Sequence, residues 1–244
     1  MKRSEISGFE VVWAGGEARA SGATGGDGDG GGAGPLVIML HGFGAPGDDL
    51  VPFYRILDVP KAVRFAFPAA PLDLGDLAPG ARAWWWIDME ERMRRMARGE
   101  ARDENEIPEG FEAVAERVAS LVDALRGESA ACVLAGFSQG AMLSLEVALR
   151  TAAPPTALAL LSSTILAKAS QAPRLSRLAG TPILQSHGQN DPVLPFGSAE
   201  KLRDFLKGEG LDVTWAPFRG GHEIPDAVTS ALSTLVRNVG LNKT

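Results

Sequence analysis

The segment Gly136-Phe137-Ser138-Gln139-Gly140 stands between two apolar runs, Ala131-Cys132-Val133-Leu134-Ala135 before it and Ala141-Met142-Leu143 after it. The first run has the length of a buried strand, and the second opens a segment of helical period. A chain that passes from strand to helix through one residue holds that residue in a cramped backbone conformation and pushes its side chain out above the sheet edge. Side chains two positions away on either side would collide, so glycines at 136 and 140 meet a need for absent Cβ atoms. Ser138 is therefore expected on an exposed turn. It sits at a helix N-terminus whose free N–H groups, that of Gln139 among them, face any anion forming beside the hydroxyl. The alternative is a Gly-rich start to a helix with Ser138 as its N-cap.

From Leu36 onward, short apolar runs alternate with longer segments of helical period, which predicts an α/β fold with a mostly parallel sheet covered by helices. Strands are expected at Phe9 to Trp13, Leu36 to Leu40, Val63 to Phe67, Ala131 to Ala135, Ala157 to Leu161, Pro182 to Ser186 and Val213 to Ala216. Phe111, Val114, Val118, Leu121, Val122 and Leu125 recur at spacings of three and four, with Pro108 before them and Gly127 after, as an amphipathic helix does. Further helices are expected over Ser138 to Arg150, Ser198 to Lys207 and Ile224 to about Val236, so that every strand feeds a crossover. The 244 residues, 45% of them hydrophobic, suit one domain. Residues 15–34 are Gly-rich and polar, with too little apolar surface to offset chain entropy, and read as a loop.

The net charge of -6, with no Lys or Arg cluster free of acids, gives a phosphate backbone nothing to bind, so nucleic acid is not expected as a partner. The one cysteine, Cys132, lies in an apolar run, where it reads as a small buried hydrophobe. No apolar stretch follows the basic N-terminal residues, and none reaches the roughly eighteen residues of a membrane span, so a cytoplasmic protein is expected.

A serine hydroxyl needs a base to take its proton and a third group to fix the base's tautomer. Among three histidines, His41 precedes Gly42-Phe43-Gly44 after a strand, and His187 ends the Pro182-Ile183-Leu184-Gln185-Ser186 strand, where a packed, hydrogen-bonded imidazole is expected. His222 follows Gly220-Gly221 on a loop after the last strand, where it can reach over the sheet edge, and is the candidate base. Asp191, on the loop after His187, is the candidate for orienting it. Asp212 begins a strand and Asp226 lies in the last helix, where solvated roles are usual. The order Ser, Asp, His is that of α/β-hydrolases. An oxyanion needs two donors, and the Phe43 and Gln139 backbone N–H groups are the candidates, leaving the Phe43 side chain free to line an acyl pocket.

With Leu40-His41-Gly42-Phe43-Gly44, Gly136-Phe137-Ser138-Gln139-Gly140-Ala141, the His187 to Pro195 stretch and Gly220-Gly221-His222-Glu223-Ile224-Pro225 in this order, the chain resembles the phospholipase/carboxylesterase family of α/β-hydrolases, which includes the acyl-protein thioesterases. The resemblance implies an α/β-hydrolase fold, hydrolysis of carboxylic esters or thioesters without a cofactor or metal, a Ser138, Asp191, His222 triad and oxyanion donors at Phe43 and Gln139. Small esters or acyl chains are the implied substrates, with lysophospholipids and protein thioesters among them.

Trp84, Trp85 and Trp86 precede Ile87, Met89, Met93 and Met96, whose spacing gathers the methionines on one helix face with Glu91, Arg92, Arg94 and Arg95 elsewhere. One reading is a lid over about 84–107 whose Trp86 and Met93 receive an acyl chain. The others are an amphipathic helix packed on the body and a face adsorbed to lipid. Two rival functions compete with hydrolysis. Gly42 to Gly47 matches the G-x-G-x-x-G pattern of an NAD-dependent reductase, but the next strand ends Phe65-Ala66-Phe67-Pro68 without the acid a ribose requires. A non-catalytic binding module with the same fold is the other.

Overall fold

A computed structural model describes residues 1–16, 34–100, 102–127, 129 and 131–241. The chain forms strands β1 (Lys2–Ile6), β2 (Phe9–Gly15), β3 (Leu36–Leu40), β4 (Arg64–Pro68), β5 (Leu72–Asp73), β6 (Arg82–Ala83), β7 (Cys132–Phe137), β8 (Ala157–Leu161), β9 (Ile183–Gly188) and β10 (Val213–Phe218). Its α-helices are α1 (Phe53–Ile56), α2 (Met89–Ala97), α3 (Phe111–Arg126), α4 (Gln139–Ala148), α5 (Lys168–Gln171), α6 (Phe196–Gly208) and α7 (Asp226–Leu241). Eight strands make one sheet in the order β1-β2-β4-β3-β7-β8-β9-β10, parallel from β4 to β10. Most of the Gly-rich loop expected at 15–34 lies outside the described residues.

Alternation along the strands sets the layers. In β3, Leu36, Ile38 and Leu40 join one apolar cluster while Val37 and Met39 join another, because successive residues point to opposite faces. The first cluster takes Phe111, Val118 and Leu121 of α3, Met142 and Leu143 of α4 and Leu202 and Leu206 of α6. The second takes Val228, Leu232 and Val236 of α7. A strand buried on both faces has no polar side, which is why these central strands read as continuous apolar runs.

The expectation that every strand feeds a crossover fails at the N-terminus. β1 and β2 pair antiparallel, and β2 pairs antiparallel with β4. The β1–β2 hairpin turns on Ser7 and Gly8, both at positive φ (51° and 75°), as a two-residue turn that follows the strand twist requires. The short β5–β6 pair was also not expected. Between β6 and α3 the chain leaves the sheet for an excursion that carries α2. Glu104 ties this excursion to the body through Lys168 (2.7 Å) and Lys201 (3.1 Å).

Candidate active site

Ser138 sits between β7 and α4 with φ 55° and ψ -116°, a region that residues with a Cβ avoid. The close approach that forces this is visible at both glycines. A Cβ on Gly136 would stand 2.3 Å from the Gly140 carbonyl oxygen, and one on Gly140 would stand 2.2 Å from that of Leu40. Backbone packs on backbone at both places, so no side chain can move aside. The Ser138 N–H donates to the Leu161 carbonyl at the end of β8 (2.9 Å), which fixes the turn at the carboxyl edge of the sheet.

His222 lies beyond β10. The Gly220-Gly221 turn brings it back over the end of β9, passing so close that a Cβ on Gly188 would be 2.1 Å from the Gly221 oxygen and 2.6 Å from that of Gly220. The Asn190 N–H donates to the Gly220 carbonyl (2.9 Å) and joins the two loops. His222 then faces two partners: Nδ1 is 2.7 Å from Asp191 Oδ2, and Nε2 is 2.9 Å from Ser138 Oγ. A neutral imidazole with its proton on Nδ1 satisfies both, donating to the carboxylate and accepting from the hydroxyl. Its ring packs against Phe137, with centroids 4.8 Å apart.

Asp191 is buried, and its oxygens divide the work. Oδ1 accepts the N–H groups of Val193 (2.8 Å) and Leu194 (2.9 Å), while Oδ2 accepts from His222. Burial by itself would raise this carboxyl, but the His222 hydrogen bond and the two amides outweigh it and hold the group below the usual carboxylate range. Behind it His187 is fully buried, with Nε2 donating to the Leu194 carbonyl (2.8 Å) and 3.3 Å from Asp191 Oδ2. It is packed and hydrogen-bonded, as the sequence predicts. Burial lowers its pKa.

The His41 to Gly44 loop lies against Ser138: a Cβ on Gly42 would meet that of Ser138 at 3.4 Å. The Gly44 N–H donates to the Arg82 carbonyl (2.8 Å), anchoring the loop. Gln139 opens α4, so its N–H is among those a helix leaves without an internal acceptor. The Gln139 side chain has a role the sequence reasoning missed. Its Oε1 accepts from the Trp84 N–H (3.0 Å) and its Nε2 donates to the Trp85 carbonyl (2.7 Å), while Trp84 Nε1 donates to the His41 carbonyl (2.9 Å). Two buried tryptophans are thus tied to both loops beside Ser138. The Gly42 to Gly47 segment leads into irregular chain and not directly into a helix, so the strand-turn-helix geometry of a dinucleotide site is not formed there.

A cavity of about 540 Å³ opens beside these residues, walled by the Trp85 to Asp88 stretch, α2, the loop after it, Thr164 and Ile165, and the start of α6. None of Ser138, Asp191, His222 and Phe43 lines it. Trp86 does, and its ring meets that of Phe43 edge-on with centroids 6.3 Å apart. Phe43 packs on the small cluster of Leu74, Ala81 and Ala83. The expected face of α2 is not the one turned inward. Glu91, Arg92, Arg95 and Met96 line the cavity, while Met93 is 66% exposed and does not. At about 100° per residue, Met93 points roughly 130° away from the middle of that lining. Asp88 caps the helix by accepting the Glu91 N–H (2.8 Å), and Arg92 donates to the Val193 carbonyl (3.4 Å). These polar contacts, and not the methionine stripe, accompany this rotation of the helix.

Residues 30–239 match the family described as phospholipase/carboxylesterase. A probable carboxylesterase of Oryza sativa subsp. japonica is 28% identical over 208 residues, covering 83% of this chain and 77% of that protein. Acyl-protein thioesterase 1 of Cryptococcus neoformans is 30% identical over 173 residues, 70% of this chain and 71% of its own. Among solved structures, that of esterase PE8 superposes with a TM-score of 0.72 at 26% identity, covering 86% of this chain and 94% of the other.

Proposed function

The chain belongs to the phospholipase/carboxylesterase family of α/β-hydrolases, and from that membership we propose that it is a serine esterase using Ser138, His222 and Asp191 in two-step acyl transfer. The observation that carries this reading is the single imidazole within hydrogen-bond reach of both Ser138 Oγ (2.9 Å) and Asp191 Oδ2 (2.7 Å). Ser138 Oγ attacks the ester carbonyl as its proton passes to His222 Nε2. The imidazolium so formed is steadied by the Asp191 carboxylate, which stays ionised because it is hydrogen-bonded in that form. The carbonyl oxygen, now negative, turns to the N–H groups of Gln139 and Phe43. Collapse expels the alcohol with the proton from Nε2. Water, deprotonated by the same nitrogen, then releases the acid and restores the serine.

Labelling by a fluorophosphonate probe tests the nucleophile: the wild type is expected to label and Ser138→Ala not to. An unlabelled, folded wild type would favour a binding module without turnover. Asp191→Asn is expected to cut kcat by about 10⁴ through the wrong imidazole tautomer. Because a protonated imidazole cannot act as base, kcat/KM is expected to fall on acidification, and a flat profile would refute the role of His222. A panel of p-nitrophenyl esters of graded chain length, with a lysophospholipid and an acyl thioester, ranks the leaving groups that the relatives' names cover. We assign its work to the cytoplasm, where Cys132, buried and with its thiol pushed up to about 11 by desolvation, stays reduced and unreactive. No helix among the described residues is long and apolar enough to cross a membrane.

A further inference from the structure

The cavity beside the candidate triad is lined by four basic side chains, Arg92, Arg95, Arg102 and Lys201. Three of them are matched: Arg95 with Glu100 (3.4 Å), Arg102 with Glu106 (3.0 Å) and Lys201 with Glu104 (3.1 Å). Arg92 differs. It is half-buried, and its one hydrogen bond among the described residues is the long one to the Val193 carbonyl. Desolvation, and then the neighbouring Arg102 charge, press its pKa down, and Glu106 and Asp191 pull the other way without overcoming them. A guanidinium that has given up hydration without gaining a counter-ion is poised to accept one, and its planar fork fits a carboxylate in bidentate fashion.

Position and volume say what would bring that counter-ion. The Val193 carbonyl that Arg92 touches belongs to the loop whose N–H groups hold Asp191. Trp86, also in the lining, meets Phe43 of the loop after β3. The cavity wall therefore touches both loops that flank Ser138 and His222, at Arg92 and at Trp86, and about 540 Å³ suits a small organic molecule. Trp85, Ile87, Met96 and Ile165 supply apolar wall. Each acid in the lining is already engaged, Glu100, Glu104 and Glu106 with Arg95, Lys201 and Arg102, Glu91 with Arg94 and Arg98, and Asp88 with the Glu91 N–H, so none pairs with Arg92, and one unmatched base suits a single negative charge better than a dianion.

From this we infer that the substrate is an ester bearing a carboxylate remote from the ester bond, with Arg92 as the residue that selects for it. The inference rests on the serine esterase reading. It is tested by the ratio of kcat/KM for an acidic ester to that for its neutral counterpart. One arm places the charge on the acyl side: mono-p-nitrophenyl adipate against p-nitrophenyl hexanoate, and the suberate against the octanoate. The other places it on the alcohol side: 6-acetoxyhexanoate against hexyl acetate. The wild type is expected to favour the acidic member in one arm, which locates the carboxylate. Arg92→Gln should lower that ratio about ten- to a hundredfold, as loss of a charged hydrogen-bonded partner does, and Arg92→Lys should restore part of it. The inference is overturned if no arm favours the acid, if Arg92→Gln slows both members of the pair alike, or if a phosphate in place of the carboxylate is preferred. Failure of the wild type to turn over any ester, acidic or neutral, would instead sink the esterase reading beneath it.

Discussion

The backbone at Ser138 offers a prediction in which lost function and gained stability come together. At φ 55° and ψ -116°, a residue with a Cβ carries about 1–3 kcal/mol of conformational strain, and glycine carries almost none. Replacing Ser138 with glycine relieves that strain but returns about 0.4–1 kcal/mol to the unfolded chain as extra freedom. Replacing it with alanine keeps the strain. Both variants lose the hydroxyl and its 2.9 Å contact to His222, so that loss cancels in the comparison. Ser138→Gly is therefore expected to be more stable than Ser138→Ala by about 1 kcal/mol, roughly 2–4 °C in Tm for a chain of this size. Urea unfolding of the two variants, with equal m-values, measures the difference directly. Neither variant should label with a fluorophosphonate. A Ser138→Gly midpoint at or below that of Ser138→Ala would mean that residue 138 stores no strain, and the reasoning from its φ and ψ would fall.

Three further outcomes follow from the same geometry. His41 is buried with Nε2 accepting the Ala70 N–H (2.9 Å), so its proton sits on Nδ1, facing the Gly42 carbonyl (2.7 Å). Desolvation drops its pKa to about 4. The unfolded chain takes up this proton near pH 6.5 and the folded chain only near 4, so the stability tied to a neutral His41 is complete above pH 6.5 and lost as pH falls toward 4. The loss is about 3 kcal/mol. Urea titrations at both pH values should show it, with His187 adding in the same direction, and an equal fall in His41→Gln would refute the assignment. Gly188→Ala thrusts a Cβ onto the Gly221 and Gly220 carbonyls and should cost about 1–3 kcal/mol. It should also lower kcat about a hundredfold by displacing His222, and full activity would show that the loop yields without consequence. Glu146 is 1% exposed and matched by Arg150 (2.6 Å) and Arg174 (3.0 Å). Arg174→Met leaves that carboxylate with Arg150 and the Gln171 amide and should lower stability by about 1.5–3 kcal/mol, as loss of one charged hydrogen-bonded partner does, read as a shift in the urea midpoint.

The central strands and the candidate triad were legible in the sequence because each has a local cause. An apolar run of five with glycines after it marks a doubly covered strand, and Gly136 and Gly140 mark a serine turn whatever surrounds them. The β1–β2 hairpin was less visible: Lys2 to Ile6 has one buried side at most, and only the Ser7-Gly8 pair signals the turn. The rotation of α2 was not legible. This helix buries no residue, so its methionine stripe does not decide which face turns inward. The Asp88 cap and the Arg92 contact to Val193 bind it at that rotation, and neither partner is marked by period. Nor does any pattern announce that the Gln139 side chain holds Trp84 and Trp85, since that bond joins residues 54 and 55 positions apart.

The candidate reacting groups hang from the ends of β7, β9 and β10, whereas most of the cavity wall comes from the stretch between β6 and α3, fastened to the body through Glu104. Chemistry and appetite are thus housed in separate lengths of chain. The second can be altered, trading charge for grease or bulk for space, without touching the first. A graft of that stretch between cousins should carry the donor's diet with it.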